Sequence, residues 1–123
     1  MAAGAIVGAF LRYRIASTPI VLESFSLNIM VINIIGSFIL GVFSILSVSW
    51  NLEPKYSLLI ATGFCGSLTT MSAFALESVQ LLDNQQIAKF ALNIMGNVGL
   101  SIGALILARS ITVVLIKMWE NVS

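Results

Sequence analysis

Three stretches of this chain carry no charged residue at all: Leu27–Val48, Tyr56–Leu76 and Phe90–Ala108. A helix that covers the hydrocarbon core of a bilayer needs about 20 predominantly apolar residues, and each stretch is close to that length. Lipid offers no water to backbone amides, so spanning runs of this kind are confined to helices that bond within themselves. The composition agrees, at 59% hydrophobic and 9% charged residues with a mean hydropathy of +1.04. A soluble domain has roughly a quarter of its residues charged, and this chain cannot cover a water-facing surface with what it has. Its 123 residues allow one domain, residues 1–123.

A fourth, weaker segment opens the chain. Ala2–Leu11 is apolar but short, and Arg12, Tyr13 and Arg14 come before the turn signal at Ser17–Pro19. It reads as a first helix over Ala2–Ile20 with its arginines within or near the bundle; a short interfacial helix is the alternative. The arginines follow the apolar run rather than lead it, which is not the order of a cleaved signal peptide. The connections at Pro19–Ser26, Trp50–Lys55 and Asp83–Gln86 are brief, and Trp50, Tyr56 and Trp119 fall near span ends, where an aromatic belt sits. Four spans put Lys55, Arg109 and Lys117 on one side and Arg12, Arg14 and Lys89 on the other. Orientation follows an excess of lysine and arginine, and here the split is even. The chain is therefore expected to insert both ways and to pair with its own inverted copy about a two-fold axis in the membrane plane. A single orientation fixed by a folding partner is the other reading.

Several functions are excluded early. A net charge of +1 without a basic cluster gives no footprint for nucleic acid. One cysteine, Cys65, allows neither an internal disulfide nor a cysteine-cluster metal site. There is no histidine, which removes the commonest general base and metal ligand together. No catalytic constellation can be assembled, and an enzyme is not expected.

The unusual part is Gly63–Phe74, GFCGSLTTMSAF, in the middle of the second charge-free run. Glycine at 63 and 66 weakens a helix, and irregular backbone at membrane depth needs cover from protein or a water-filled cavity. Carbonyls freed by a break form a hard-oxygen cluster suited to a small cation, while the Thr69, Thr70 and Ser72 hydroxyls can donate to an anion. The same residues also suit a close helix–helix contact, with glycine permitting approach and the hydroxyls bonding backbone. In the last run, Asn93 and Asn97 share a helix face, either lining a pore or bridging to a neighbouring helix. Ser101, one turn on, extends that face into a polar track toward a pore.

This stretch resembles the third-helix signature of the Fluc/CrcB fluoride channels, a GxCGxxTTFSTF-like run followed by a glutamate. The matching residues are Gly63, Cys65, Gly66, Thr69, Thr70, Ser72, Phe74 and then Glu77. Gly4–Tyr13, GAIVGAFLRY, is similar to the family's first-helix pattern, and Asn33–Gly41, NIIGSFILG, to its second-helix motif. The resemblance implies an all-α membrane protein of four transmembrane helices, the third broken near its middle, assembled as an antiparallel dual-topology dimer with two pores. It implies a passive, fluoride-selective channel in a prokaryotic plasma membrane, exporting fluoride and so protecting against its toxicity. It also implies a structural sodium ion on the two-fold axis, held by main-chain carbonyls that motif position puts at Gly66 and Thr69. Asn33, Ser72 and Phe74 match pore residues, and Arg12 matches an arginine near the pore vestibule.

The residue types suit such a task. Fluoride is small and strongly hydrated, so a pore must replace water's donors without trapping the ion. Neutral amides and hydroxyls do that, the positive edge of an aromatic ring can meet an anion, and a fixed lysine would hold it too tightly for release. Two departures stand out. Met71 occupies the place of the family's first pore phenylalanine, and Ala73 that of a threonine. Methionine is polarizable but has no aromatic edge, so the chain either conducts with one phenylalanine or is one subunit of a heterodimer with a homologous partner. Glu77 reads equally as a vestibule or an interface carboxylate, and Arg14, Arg109 and Lys117 as snorkelling side chains. The competing function is a dual-topology multidrug/proton antiporter, which would need an acid deep in a helix; the charge-free runs hold none.

Overall fold

The computed structural model describes residues 1–18, 20–22 and 25–122, with the backbone alone for Leu22 and Phe25. The charge-free runs become helices, as segments without water must. The second helix, Asn28–Ser49, covers the first run almost residue for residue, and the spans Pro54–Asp83 and Ile87–Val122 contain the other two. These three are long and apolar enough to cross a membrane. The first helix, Ala2–Ser17, has 16 residues, about 24 Å at 1.5 Å per residue, and falls short of that length. It ends before the expected Ile20 because Thr18, which precedes a proline in the sequence, is extended (φ −90°, ψ 117°); Ser17 and Thr18 turn their hydroxyls back to the carbonyls of Tyr13 and Arg14, at 2.7 and 3.0 Å. The last span continues past Ala108, since Arg109 is a single charge in a helix that stays apolar through Ile116.

Asn28 then captures the chain between the first two helices. Its Oδ1 accepts from the Ile20 amide and the Ser26 hydroxyl, both at 3.1 Å, and its Nδ2 donates to the carbonyls of Ile15, at 2.6 Å, and Thr18. Beside it, a two-residue antiparallel ladder pairs Val21 with Ser26 and Leu22 with Phe25. Apart from that ladder, regular structure among the described residues is helical.

The third and fourth spans are not uniform. The third starts with a proline-led turn, Pro54–Ser57, widens into π-helical turns over Leu58–Cys65, and tightens again at Gly66–Leu68. Thr69 (φ −75°, ψ 154°) and Thr70 (φ −149°, ψ 118°) are extended, and α-helix resumes over Met71–Asp83. The fourth carries π-helical turns at Gly96–Leu100 between Ile87–Met95 and Ser101–Val122. Such turns shift the hydrogen-bond ladder and are frequent at functional sites.

The first helix lies against the π-helical part of the third span. The contact is close enough that a Cβ on Gly4 or Gly8 would land on the carbonyl oxygen of Leu59 or Phe64, the small-residue packing that membrane helices use in place of a hydrophobic drive. The second helix runs along Ser101–Val122, and Met71–Asp83 folds back on Ile87–Met95 through a turn in which Gln85 takes a φ of 58°. Ile29, Ile32 and Leu68 form the buried core, with Leu11, Ile15, Phe64, Ala73 and Phe74 packed around them. Many large apolar side chains, Leu107, Val114 and Leu115 among them, are exposed. Along helices that cross a membrane these meet hydrocarbon instead of water.

Candidate functional site

Between the second, third and fourth spans lies a cavity of about 370 Å³, and the extended Thr69–Thr70 pair lies on its wall. Helix breaks leave main-chain groups without helical partners. Thr70 N–H, which in a continuous helix would donate to the Gly66 carbonyl, donates instead to Asn33 Oδ1 at 2.9 Å. The other end of that amide, Asn33 Nδ2, donates to Asn97 Oδ1 at 2.9 Å and reaches Thr70 O only at 3.4 Å. Behind this, Asn97 Nδ2 donates to the backbone and side-chain oxygens of Asn93, both at 3.0 Å. Asn93 Nδ2 donates to Ser78 Oγ at 2.9 Å, and that hydroxyl donates to Phe74 O at 2.8 Å. Three asparagines thus stitch the second and fourth spans to both sides of the Met71 helix start.

The cavity is neutral. Asn33, Ser37, Thr69, Thr70, Asn97 and Ser101 supply its polar side chains, and among the described residues no Asp, Glu, Lys or Arg lines it. Ser101 Oγ is buried with no hydrogen-bond partner among the described residues. The Thr69 hydroxyl is turned back to the Cys65 carbonyl at 2.9 Å, and Thr70 Oγ1 caps the following helix by accepting from the Ala73 amide at 3.3 Å. Gly36 lies across from the break, where a Cβ would collide with the Thr69 methyl group. A side chain there would push the second helix off the extended pair.

Chemically, this is a small polar chamber without fixed charge, walled by apolar side chains, in a chain built for a membrane. The family model for CrcB-like protein, Camphor Resistance (CrcB), matches residues 1–109. The chain belongs to the CrcB family. Its relatives include the protein named "Fluoride-specific ion channel FluC" of Nitrosopumilus maritimus, 55% identical over 111 residues that cover 90% of this chain and 88% of the relative. Proteins of the same name from Methanococcus aeolicus and Methanococcus maripaludis are 41% and 38% identical, over 77% and 86% of this chain and 77% and 87% of their own length. With three membrane-length helices and this family, the CrcB chain is an integral membrane protein and not an enzyme.

Most residues that the sequence pointed to meet in this chamber. Asn33, Gly66, Thr69, Met71, Phe74 and Ser101 all line it, Met71 at an open edge where it is 73% exposed. Ser72 stands outside the lining, its Oγ 3.4 Å from Thr70 Oγ1. Arg12 is half-buried on the first helix, and Glu77 half-buried on the third span, both away from the chamber wall. Sequence reasoning left Asn93 and Asn97 between pore and bridge; they bridge, and Asn97 also reaches the chamber. Their spacing reveals the shared face, but the partner Asn33 is 64 positions away and no local pattern announces it. Asn28 gives no local signal either, since its partners Ile15, Thr18, Ile20 and Ser26 are spread over the end of the first helix and the connection after it.

Proposed function

We propose that this chain is a passive, fluoride-selective anion channel that exports fluoride across the plasma membrane and so protects the cell from fluoride. The observation that carries the reading is the uncharged chamber beside Asn33 and the extended Thr69–Thr70 pair. It agrees with the name its relatives carry. Neutral donors offer a hydrated anion replacement partners while leaving it free to exit. An interior-negative potential supplies about 2.3 kcal/mol per 100 mV to an outward-moving monovalent anion, so neither a nucleotide nor a proton relay is required. A proton-coupled exporter would want an acid in the chamber, and among the described residues no Asp or Glu lines it.

The functional unit in this reading is a dimer of inverted copies with a pore on each side, as the even charge split favours. Its third helix is broken near the middle, and the break serves a structural sodium ion at the two-fold axis. The residues fit such an ion. The Gly66 carbonyl has lost Thr70 N–H to Asn33, and at Thr69 a ψ of 154° takes the carbonyl out of the helical ladder. Unwound carbonyls of this kind are the usual oxygen ligands of sodium in membrane proteins. The ion would supply positive charge that ties two broken helices together; Gly66 and Thr69 would hold it. Asn33 and Ser101 serve as uncharged partners of the anion, Phe74 presents a ring edge, Ser72 stands at the pore margin and Arg12 near a vestibule.

Met71 gives a second assembly some support. It borders the chamber where the family pattern has phenylalanine, which suits a subunit whose homologous partner supplies an intact pore. One experiment covers both readings. Purified protein in fluoride-loaded liposomes is expected to release fluoride within seconds once a potassium ionophore balances charge, while chloride-loaded vesicles stay full. No release from the single chain, with release restored by a homologous second chain, would assign the heterodimer. Proton-driven efflux of a cationic dye without fluoride release would overturn the channel reading.

A further inference from the structure

The hydrogen-bond chain behind the chamber has a fixed direction. It starts at a group that can only donate, Thr70 N–H, and ends at one that can only accept, Phe74 O. Between them Asn33, Asn97, Asn93 and Ser78 each accept on one side and donate on the other. Turning any one amide over would set donor against donor and acceptor against acceptor, so every carboxamide orientation is dictated by the main-chain ends. Asn97 is the middle of the circuit. Both of its N–H groups are committed to Asn93 at 3.0 Å, it is 4% exposed, and Asn93 is fully buried. Asn33, by contrast, has one N–H held firmly by Asn97 Oδ1 and one reaching Thr70 O at 3.4 Å. That distance is beyond a good N–H···O bond, and Asn33 lines the chamber.

We infer that Asn97 is a positioning residue for ion passage: by accepting one N–H of Asn33 it fixes which amide end faces the chamber and leaves the second N–H available to the anion. The inference rests on the reading of Asn33 as a pore donor. Asn97 acts through Asn33 and not by touching the ion, and Asn93 with Ser78 holds Asn97 in turn. Without Asn97 Oδ1, the Asn33 amide keeps only its bond from Thr70 N–H, and its free donors turn about that single anchor.

The test is a double-mutant cycle on fluoride efflux from liposomes, using Asn33→Ala, Asn97→Leu and the pair. Leucine keeps the branched outline of Asn97 and removes its acceptor together with its donors. Asn97→Leu is expected to slow fluoride release roughly tenfold, the worth of one well-placed neutral hydrogen bond. In the Asn33→Ala background it should slow release no further, because groups that act through one another are not additive. Full additivity, or unchanged flux in Asn97→Leu, would overturn the positioning role while leaving Asn33 in the pore. Wild-type flux in Asn33→Ala would instead remove Asn33 from the pore, and the positioning role with it. If the leucine variant does not fold, Asn97→Val, which also lacks an acceptor, carries the same cycle. A nitrogen-15 spectrum of the protein in lipid nanodiscs adds a readout that packing alone would not move. The Asn33 side-chain amide pair should shift in the Asn97 variant while that of Asn28 stays in place; an unmoved Asn33 pair counts against the inference.

Discussion

Asn28 and Asn33 lie on the same helix and are the same residue, yet they are used in opposite ways. Asn28 spends its side chain on four partners around the loop before it, and at 5% exposure nothing of it is left to offer. Asn33 spends one end on Thr70 N–H and one N–H on Asn97, and it keeps a loosely held donor against an empty volume. A buried amide closed on itself is a staple. A half-buried amide with one donor loosely held, on the wall of a chamber, is equipment for a guest. The difference lies in the surroundings: a turn that folds tightly over Asn28, and an extended pair of threonines that bonds one end of the Asn33 amide and borders the chamber beside the other.

The pair of substitutions Asn33→Leu and Asn28→Leu tests that contrast most severely. Asn33→Leu is expected to reduce fluoride efflux by about a hundredfold or more, on the scale of losing a preorganised donor aimed at a charge. Asn28→Leu should leave flux per folded protein near the wild-type value and cost about 2–3 kcal/mol of stability, because several buried main-chain groups lose their partner at once. Thermal unfolding in detergent and efflux from liposomes, measured on both variants, separate the two effects. A flux defect from Asn28→Leu equal to that from Asn33→Leu would erase the distinction.

Phe74→Ile is the next largest. Phe74 packs against Ile29, Ile32 and Leu68 and also faces the chamber, so it belongs to both kinds of region. Loss of the ring edge should cut fluoride efflux roughly tenfold, while the smaller apolar side chain costs about 1–2 kcal/mol. Stability lost with flux retained would move Phe74 to the staple side of the comparison.

Much of this was legible in the sequence because it follows from local physics. Absence of charge marked the three long spans, and their ends moved only where a single charge such as Arg109 is carried by apolar neighbours. The clustering of Gly66, Thr69 and Thr70 marked the wall of the chamber. The asparagine circuit was not legible. Asn93 and Asn97 declare a common face through their spacing, but their attachment to Ser78 and Asn33 depends on how the spans cross. Hydrogen-bond partners so far apart in the chain leave no periodic trace. The π-helical turns at Leu58–Cys65 and Gly96–Leu100 were equally silent, since a shift of the ladder by one residue changes no composition. Ser72, which the motif proposes as a pore hydroxyl, stands just outside the chamber wall, its Oγ 3.4 Å from Thr70 Oγ1.

Ser101 gives the finest test because its two possible uses predict the same change in stability and different changes in transport. Its hydroxyl is buried without a partner among the described residues, and an unsatisfied buried hydroxyl costs on the order of 1–3 kcal/mol. Were it only a residue of the helix face, Ser101→Ala would remove that cost, raise the melting temperature by a few degrees and leave transport alone. Were it a partner for an ion in the chamber, the same substitution would still stabilise the protein in fluoride-free buffer while slowing efflux a few-fold. Added fluoride would then stabilise the wild type more than the variant, since a ligand that binds only the folded state raises stability in proportion to how tightly it binds. We expect the second pattern. Ser101 lines the chamber, where a passing anion can take the bond that no described residue offers, and equal fluoride stabilisation of both proteins would place Ser101 with Asn28, outside the path.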